Sequence, residues 1–368
     1  MYHSKTTAAE IISSDIKAIN RDAAQELDRL AGKEVLITGG AGFLGYLLVH
    51  LLAQIGDNDG REPINLTVYE NFSRGRKLWL DKLAKRSNVK VIEHDITKPL
   101  PLHMPEFSYI IHAASIASPI YYRLNPIKTI DANINGLRNL LDYAKMRSDE
   151  QKPISGILFF STSEIYGDPS SDAIPTVESY RGFVSCTGPR ACYDESKRLG
   201  ETLCVNFAQQ YGLPIMIARP FNNYGPGLDI KDRRLLPDLA RDIFSNRDIV
   251  LLSDGNATRT FCYVSDAITG YIKILINGRP GESYNIGTET PEISVSEFTS
   301  KVAIVARSLF GYDGRVVYKE SEDKDYLTDN PNRRCPNINK ARIELGYAPV
   351  VSLDDGVYRS LIWYKDNQ

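Results

Sequence analysis

A chain of 368 residues exceeds the usual single domain and predicts one large domain with a smaller one beside it. Its 42% hydrophobic, 24% charged and 10% aromatic residues are a globular composition, which excludes collagen-like, mucin-like and broadly disordered chains. With 44 Lys and Arg against 46 Asp and Glu the formal charge is −2, so no polybasic surface is on offer to nucleic acid or membrane.

Residues 1–32 lack the apolar core of a secretory signal, and nowhere do about 18 apolar residues run together to span a bilayer. Within them Ile16, Ile19, Ala23, Leu27 and Leu30 recur at spacings of three and four, which predicts one helix over 15–30 stopped by Gly32. From residue 34 short β-rich runs alternate with helical patterns, and 34–38, 65–69, 89–93, 109–113, 157–161 and 214–218 read as strands. This alternation predicts an α/β fold with a doubly wound, Rossmann-like parallel sheet. Val35-Leu36-Ile37 and Ile157-Leu158-Phe159-Phe160 are apolar on both faces, as central parallel strands are. The polar run 56–61 reads as an exposed loop.

Beyond Arg219 the pattern loosens through Asn222-Asn223-Tyr224-Gly225-Pro226-Gly227 into shorter elements. The expected organisation is a helical extension over 1–32, the sheet domain over 33–220 and a smaller C-terminal domain over 221–368, with about 262–288 returning to the sheet domain. Cys186, Cys192, Cys204, Cys262 and Cys335 are odd in number and contain no Cys-x-x-Cys pair. They read as small hydrophobes rather than disulfides or metal ligands, and the chain as a soluble, cytoplasmic protein with no metal.

The first strand runs directly into Thr38-Gly39-Gly40-Ala41-Gly42-Phe43-Leu44-Gly45 and an apolar helix. Strand, glycine turn and helix in that order form a cradle for a pyrophosphate, whose charge sits on free N–H groups at the helix N-terminus. About 25 residues on, the second strand ends at Glu70, where a carboxylate accepts hydrogen bonds from ribose hydroxyls and repels a 2′-phosphate. That favours NAD over NADP, although Arg74 and Arg76 lie close enough to accept a phosphate. Asp95, after the third strand, is a candidate for the adenine amino group or for a helix cap.

Tyr193 and Lys197 form Tyr-x-x-x-Lys in a helical stretch, so both lie on one face and the lysine favours the phenolate form of a tyrosine base. The fifth strand ends in Ser161-Thr162-Ser163-Glu164, at the edge of the sheet where ligand chemistry gathers.

With these motifs in place the chain resembles the extended short-chain dehydrogenase/reductases that act on nucleotide sugars, and among them UDP-glucuronate decarboxylases, also called UDP-xylose synthases. The likeness is carried by residues 38–45, His112-Ala113-Ala114-Ser115 with Ser118-Pro119, Asn125-Pro126-Ile127-Lys128-Thr129, residues 161–169 and Gly188-Pro189-Arg190-Ala191-Cys192-Tyr193-Asp194-Glu195-Ser196-Lys197-Arg198. It continues in Arg219-Pro220-Phe221-Asn222-Asn223-Tyr224-Gly225-Pro226, Thr258-Arg259-Thr260-Phe261 with Tyr263-Val264, and the tail near Arg334 and Pro336. Segments 120–124 and 228–234 depart from the decarboxylase pattern, Glu70 stands where aspartate is usual, and residues 1–32 are additional.

The resemblance implies a homodimeric lyase holding NAD through Gly39, Gly42, Phe43, Leu44, Gly45, Glu70, Asn71, Arg74, Asp95, Ile96, Ala113, Ala114, Tyr193 and Lys197. It implies a nucleotide-sugar substrate met by Ser118, Tyr122, Asn222, Arg259 and Arg334. Tyr193 and Lys197 would then serve oxidation at C4, Thr162 would donate to the resulting ketone, and Ser163 and Glu164 would handle the proton at C5. Ser163-Glu164 and the Gly-Pro-Arg-Ala-Cys-Tyr phrase favour decarboxylation, with Arg259 beside the carboxylate. A nucleotide-sugar 4,6-dehydratase or 4-epimerase is the nearest alternative, and a non-catalytic dinucleotide sensor is the alternative of another class.

Overall fold

The structure, a computed structural model, describes residues 6–57 and 59–367. Seven strands, β1 (Glu34–Thr38), β2 (Asn65–Glu70), β3 (Val89–Glu93), β4 (Tyr109–His112), β5 (Gly156–Phe160), β6 (Ile215–Pro220) and β7 (Ser283–Ile286), form one sheet in the order β7-β6-β5-β4-β1-β2-β3. Every neighbouring pair in it is parallel. The chain order reverses between β1 and β4, so the loops leaving those two strands part and open a crevice along the carboxyl edge of the sheet. The six expected strands all form, with their ends shifted by up to two residues.

The helices that position the site are α1 (Ala8–Asp22), α2 (Ala24–Leu30), α3 (Phe43–Gln54), α4 (Leu137–Asp149), α5 (Ala191–Tyr211), α6 (Val264–Asn277) and α7 (Leu353–Asp366). Alternation along the strands sends Val35, Ile37, Leu158 and Phe160 to one face, where they pack with Leu47, Leu51, Ala267, Tyr271 and the N-terminal helices. Leu36, Ile110, Ile157 and Phe159 face the other way, against Leu140, Leu141, Cys204 and Phe207 of α4 and α5. α3 is buried nearly all round, which explains its unbroken apolar run.

The N-terminal segment corrects the single helix expected over 15–30. A capping box between Thr7 and Glu10 starts α1 at Ala8, and Ala23 leaves the helical region (φ −127°, ψ 29°) before α2 begins. Ile19, Ala23, Leu27 and Leu30 are all fully buried, so the expected apolar stripe packs, but as two segments that both lie against α6. In the expected loop 56–61, of which Asn58 lies outside the described residues, Arg61 is folded back onto Asp28 at 2.6 Å and Asn20 at 3.0 Å. The loop is thereby pinned to the N-terminal helices.

Past β6 the chain forms small ladders instead of a second large sheet. Thr258–Arg259 pairs antiparallel with Ile293–Ser294 and parallel with Arg333–Arg334, setting Arg259 and Arg334 opposite one another. Among the described residues no helix is long and apolar enough to cross a membrane, no cluster of His, Cys, Asp and Glu could hold a metal ion, and the five cysteines are free.

Candidate active site

Apart from Arg76, every residue singled out from the sequence as catalytic, cofactor-binding or substrate-binding lines one cleft of about 2170 Å³ at the crevice between β1 and β4. A typical small-ligand cavity is roughly 300–1,000 Å³, so this cleft has room for two large ligands side by side.

The glycine turn forms one wall. Gly39 adopts φ +72°, and a Cβ there would stand 2.5 Å from the Cα of Ala114, so only glycine lets the turn rest on the loop after β4. At Gly42 a Cβ would find only the Gly39 carbonyl and would stand in the cleft mouth instead. No side chain caps α3, leaving its first-turn N–H groups for an anion. Glu70 Oε2 accepts from the Ala41 N–H and its Oε1 from the Phe72 N–H, both at 3.1 Å, which ties the end of β2 to the glycine turn. Burial pushes the Glu70 carboxyl up, and those two N–H groups oppose the rise. This cradle fits a dinucleotide: amides for its phosphates, and a fixed carboxylate with lone pairs to spare for its ribose.

Other residues on that side are engaged locally. Asp95 Oδ1 accepts from the N–H and hydroxyl of Thr97, and Asn71 Oδ1 accepts from the Ser73 N–H, so both shape turns along the cleft. Ile96 packs under Gly136. Arg74 is paired with Asp232 at 3.1 Å and lies 3.9 Å over the Tyr121 ring, and Arg76 pairs with Glu93 at 2.9 Å.

The opposite wall starts from β5. Thr162 caps a short turn over Ser163–Tyr166 by accepting from the Glu164 N–H at 3.2 Å, and its side chain also hydrogen-bonds Tyr193. Tyr193, in the first turn of α5, is stacked on Tyr122 with centroids 5.1 Å apart and planes 6° from parallel. Burial pushes the Tyr193 phenol up to about 12, against the lowering effects of Thr162 and the Arg234 cation. Lys197 does lie one turn along from Tyr193, but its Nζ donates to the Phe160 carbonyl at 2.7 Å and stands 5.9 Å from the Tyr193 ring centroid. Burial lowers the lysine to about 7. Lys197 thus shares a helix face with Tyr193, as the spacing predicts, while its hydrogen bond goes to the end of β5.

At the far end lies a cluster of three arginines around one carboxylate. Glu164 is held by Arg190 and by both terminal nitrogens of Arg334, the second at 2.6 Å. Burial alone would raise its pKa, but Arg190 and Arg334 overrule that and hold the carboxyl well below the usual range. Arg259, next to Arg334 in the ladder, donates to the carbonyls of Thr258, Pro331 and Asn332 and has no carboxylate partner among the described residues. Burial and the neighbouring Arg334 both disfavour its cation. Two adjacent buried arginines with one carboxylate between them form a site that gains from an incoming anion.

The substrate candidates are not all free. Ser118 donates to the Asp232 carbonyl at 2.7 Å, and Asn222 (φ 42°) donates to the Thr260 carbonyl at 2.9 Å. The Tyr122 hydroxyl is buried without a hydrogen-bond partner among the described residues. Sequence reasoning missed Arg190 and Arg234 as members of the site. The signal for Arg190 was present, because it sits three residues before Tyr193 in the Gly-Pro-Arg-Ala-Cys-Tyr phrase; Arg234 is close to Tyr193 only through the fold.

Residues 35–287 match the model of the "NAD dependent epimerase/dehydratase family". UDP-glucuronic acid decarboxylase 1 of Xenopus tropicalis is 36% identical over 90% of this chain and 72% of its own length. UDP-glucuronic acid decarboxylase 6 of Arabidopsis thaliana is 37% identical over 88% of this chain and 86% of its own. Among solved structures, the epimerase Mth375 of Methanothermobacter thermautotrophicus superposes with a TM-score of 0.77 at 26% identity, covering 93% of this chain and 95% of that one. DesIV of Streptomyces venezuelae, a dTDP-glucose 4,6-dehydratase solved with NAD bound, gives 0.75 at 25% identity over 91% and 97%.

Proposed function

The chain belongs to the NAD dependent epimerase/dehydratase family, and from that premise we propose that it is a lyase converting UDP-glucuronate to UDP-xylose through a 4-keto intermediate. The observation that carries this reading is the arginine cluster around Glu164, in the same cleft as Tyr193, Thr162 and Lys197.

NAD, when bound, supplies the acceptor and the returning donor of the hydride at C4. Tyr193 Oη takes the proton of the C4 hydroxyl and gives it back at the end. Burial disfavours its phenolate, which the Thr162 hydroxyl and the Arg234 cation oppose, and Lys197 lies one turn along the same helix. The Thr162 hydroxyl donates to the C4 oxygen as that oxygen becomes an enolate, which stabilises the electron pair left when the C5–C6 bond breaks and carbon dioxide departs. Arg259 and Arg334 orient the departing carboxylate, with Glu164 yielding part of Arg334 to it. Ser163 and Glu164, adjoining on the same turn, position the water that delivers the proton to C5, Glu164 as an ionised acceptor.

We read the enzyme as a cytoplasmic homodimer. Its thiols are free, and Leu124, Ile127, Ile130 and Leu199 leave apolar side chains exposed on adjoining helices, where a second copy would cover them. The functional test is to supply UDP-glucuronate and UDP-glucose separately and identify products by mass spectrometry. A UDP-pentose from the first and no product from the second is expected; a 4-keto-6-deoxy sugar from UDP-glucose would make it a dehydratase.

A further inference from the structure

The loop leaving β2 carries Arg74, Arg76 and Lys77 within four residues, immediately after the carboxylate expected at the adenosine ribose. Arginines and lysines in that position are the chemistry that receives a ribose 2′-phosphate. The fold pairs all three, Arg74 and Lys77 with carboxylates of a distant segment and Arg76 at the exposed surface. Lys77 pairs with Asp229 at 2.8 Å, and Arg74 pairs with Asp232 at 3.1 Å while its guanidinium lies over the Tyr121 ring. Arg76 is paired with Glu93 and, at 3.5 Å, with Asp81.

Asp229 and Asp232 come from residues 228–234, a strap that lines the same cleft from beyond β6. It is fastened by the Ser118 hydroxyl, which donates to the Asp232 carbonyl, and by the Tyr121 hydroxyl, which donates to the Lys231 carbonyl at 3.1 Å. Asp232 is nearly buried, with its second oxygen on Arg234, so it is a fixed charge and not a loose surface group. The two stretches that depart from the decarboxylase pattern, 120–124 and 228–234, thus meet each other here. At this end of the cleft Glu70, Asp229 and Asp232 face Arg74, Lys77 and Arg234, and a phosphate bringing roughly two more negative charges finds each cation already paired.

We infer that Asp229 and Asp232 are specificity residues that set the preference for NAD over NADP, acting by withholding Lys77 and Arg74 from the ribose. The inference rests on the NAD-dependent reading above. It also assigns the strap more than a fastening role, because a mere fastener would not discriminate between two cofactors that differ by one phosphate.

The test measures retained cofactor, not turnover, since Asp232 also holds Arg234 near Tyr193. Protein is dialysed against an equimolar mixture of NAD and NADP, and the bound nucleotides are released and quantified by mass spectrometry. Wild type is expected to retain NAD almost alone. The Asp229→Asn/Asp232→Asn double variant is expected to shift the ratio toward NADP by roughly tenfold or more, the worth of one charge-assisted contact. Asp229→Asn alone, which keeps the oxygen that caps the Lys231 N–H, is expected to shift it in the same direction and serves if the double variant does not fold. A ratio unchanged in the asparagine variants overturns the inference, as does Arg74→Met lowering NADP retention below that of wild type, which would mean that Arg74 was free for the phosphate all along. Wild type that retains neither nucleotide would instead count against the cofactor reading itself.

Discussion

At Glu164 a carboxylate that burial would normally neutralise is kept ionised by Arg190 and Arg334, and this arrangement has a measurable signature. Its pKa is depressed on folding, so its stabilising effect is complete above the unfolded value of about 4.5 and fades as pH falls below it. Glu164→Gln leaves two buried guanidinium groups short of a partner and is expected to cost about 3 kcal/mol at pH 7. That deficit should narrow steadily as the pH drops below about 4.5, because wild type loses the same interaction by protonation. Urea unfolding of both proteins across that range checks it, and a deficit independent of pH would show that the charge is not what holds the arginines. The residue-scale reading from sequence placed Tyr193, Thr162 and Glu164 in one cleft, since strand ends and helix periodicity are local properties. It could not show that Lys197 reaches the Phe160 carbonyl or that Arg190 reaches Glu164, because those contacts depend on how α5 seats against β5.

The element that sequence read least completely is the N-terminal pair of helices. Spacing identified the buried stripe, but the Thr7 and Glu10 capping box and the break at Ala23 were not read from it. The stripe says nothing of Asp15, which is fully buried on α1 yet accepts from the Tyr263 hydroxyl at 2.7 Å and from Arg359 at 2.6 Å. Burial raises its pKa to about 6 despite both partners. Tyr263 directly precedes α6 and Arg359 lies on α7, so one side chain fastens α1 to the elements behind the sheet. Asp15→Ala should therefore lower unfolding free energy by about 3 kcal/mol, with Asp15→Asn losing less because the amide oxygen still accepts. Chemical denaturation at neutral pH measures it, and an unchanged midpoint would mean that α1 is not part of the cooperative unit. The strap over 228–234 is the matching case on the cleft side: its sequence departs from the decarboxylase pattern without saying what it meets, and its partners Arg74, Lys77, Ser118 and Tyr121 lie more than 100 residues away.

At the scale of the molecule, the parallel sheet was legible because alternating β-rich and helical runs leave few other architectures. What the whole fold adds is convergence. The glycine turn at the end of β1, Glu70 on β2, the Thr162 turn after β5 and the Arg259–Arg334 ladder come from separate parts of the chain and face one cleft. The account of that cleft is that C4 is oxidised only transiently, carbon dioxide leaves from C5, and the same hydride returns. The most direct measurement is turnover of UDP-glucuronate in heavy water, with the product position of each deuterium found by NMR. The account predicts a UDP-pentose carrying one deuterium at C5 and ordinary hydrogen at C4. Recovery of UDP-glucuronate unchanged, or of its C4 epimer with the carboxylate intact, from protein loaded with NAD would contradict it.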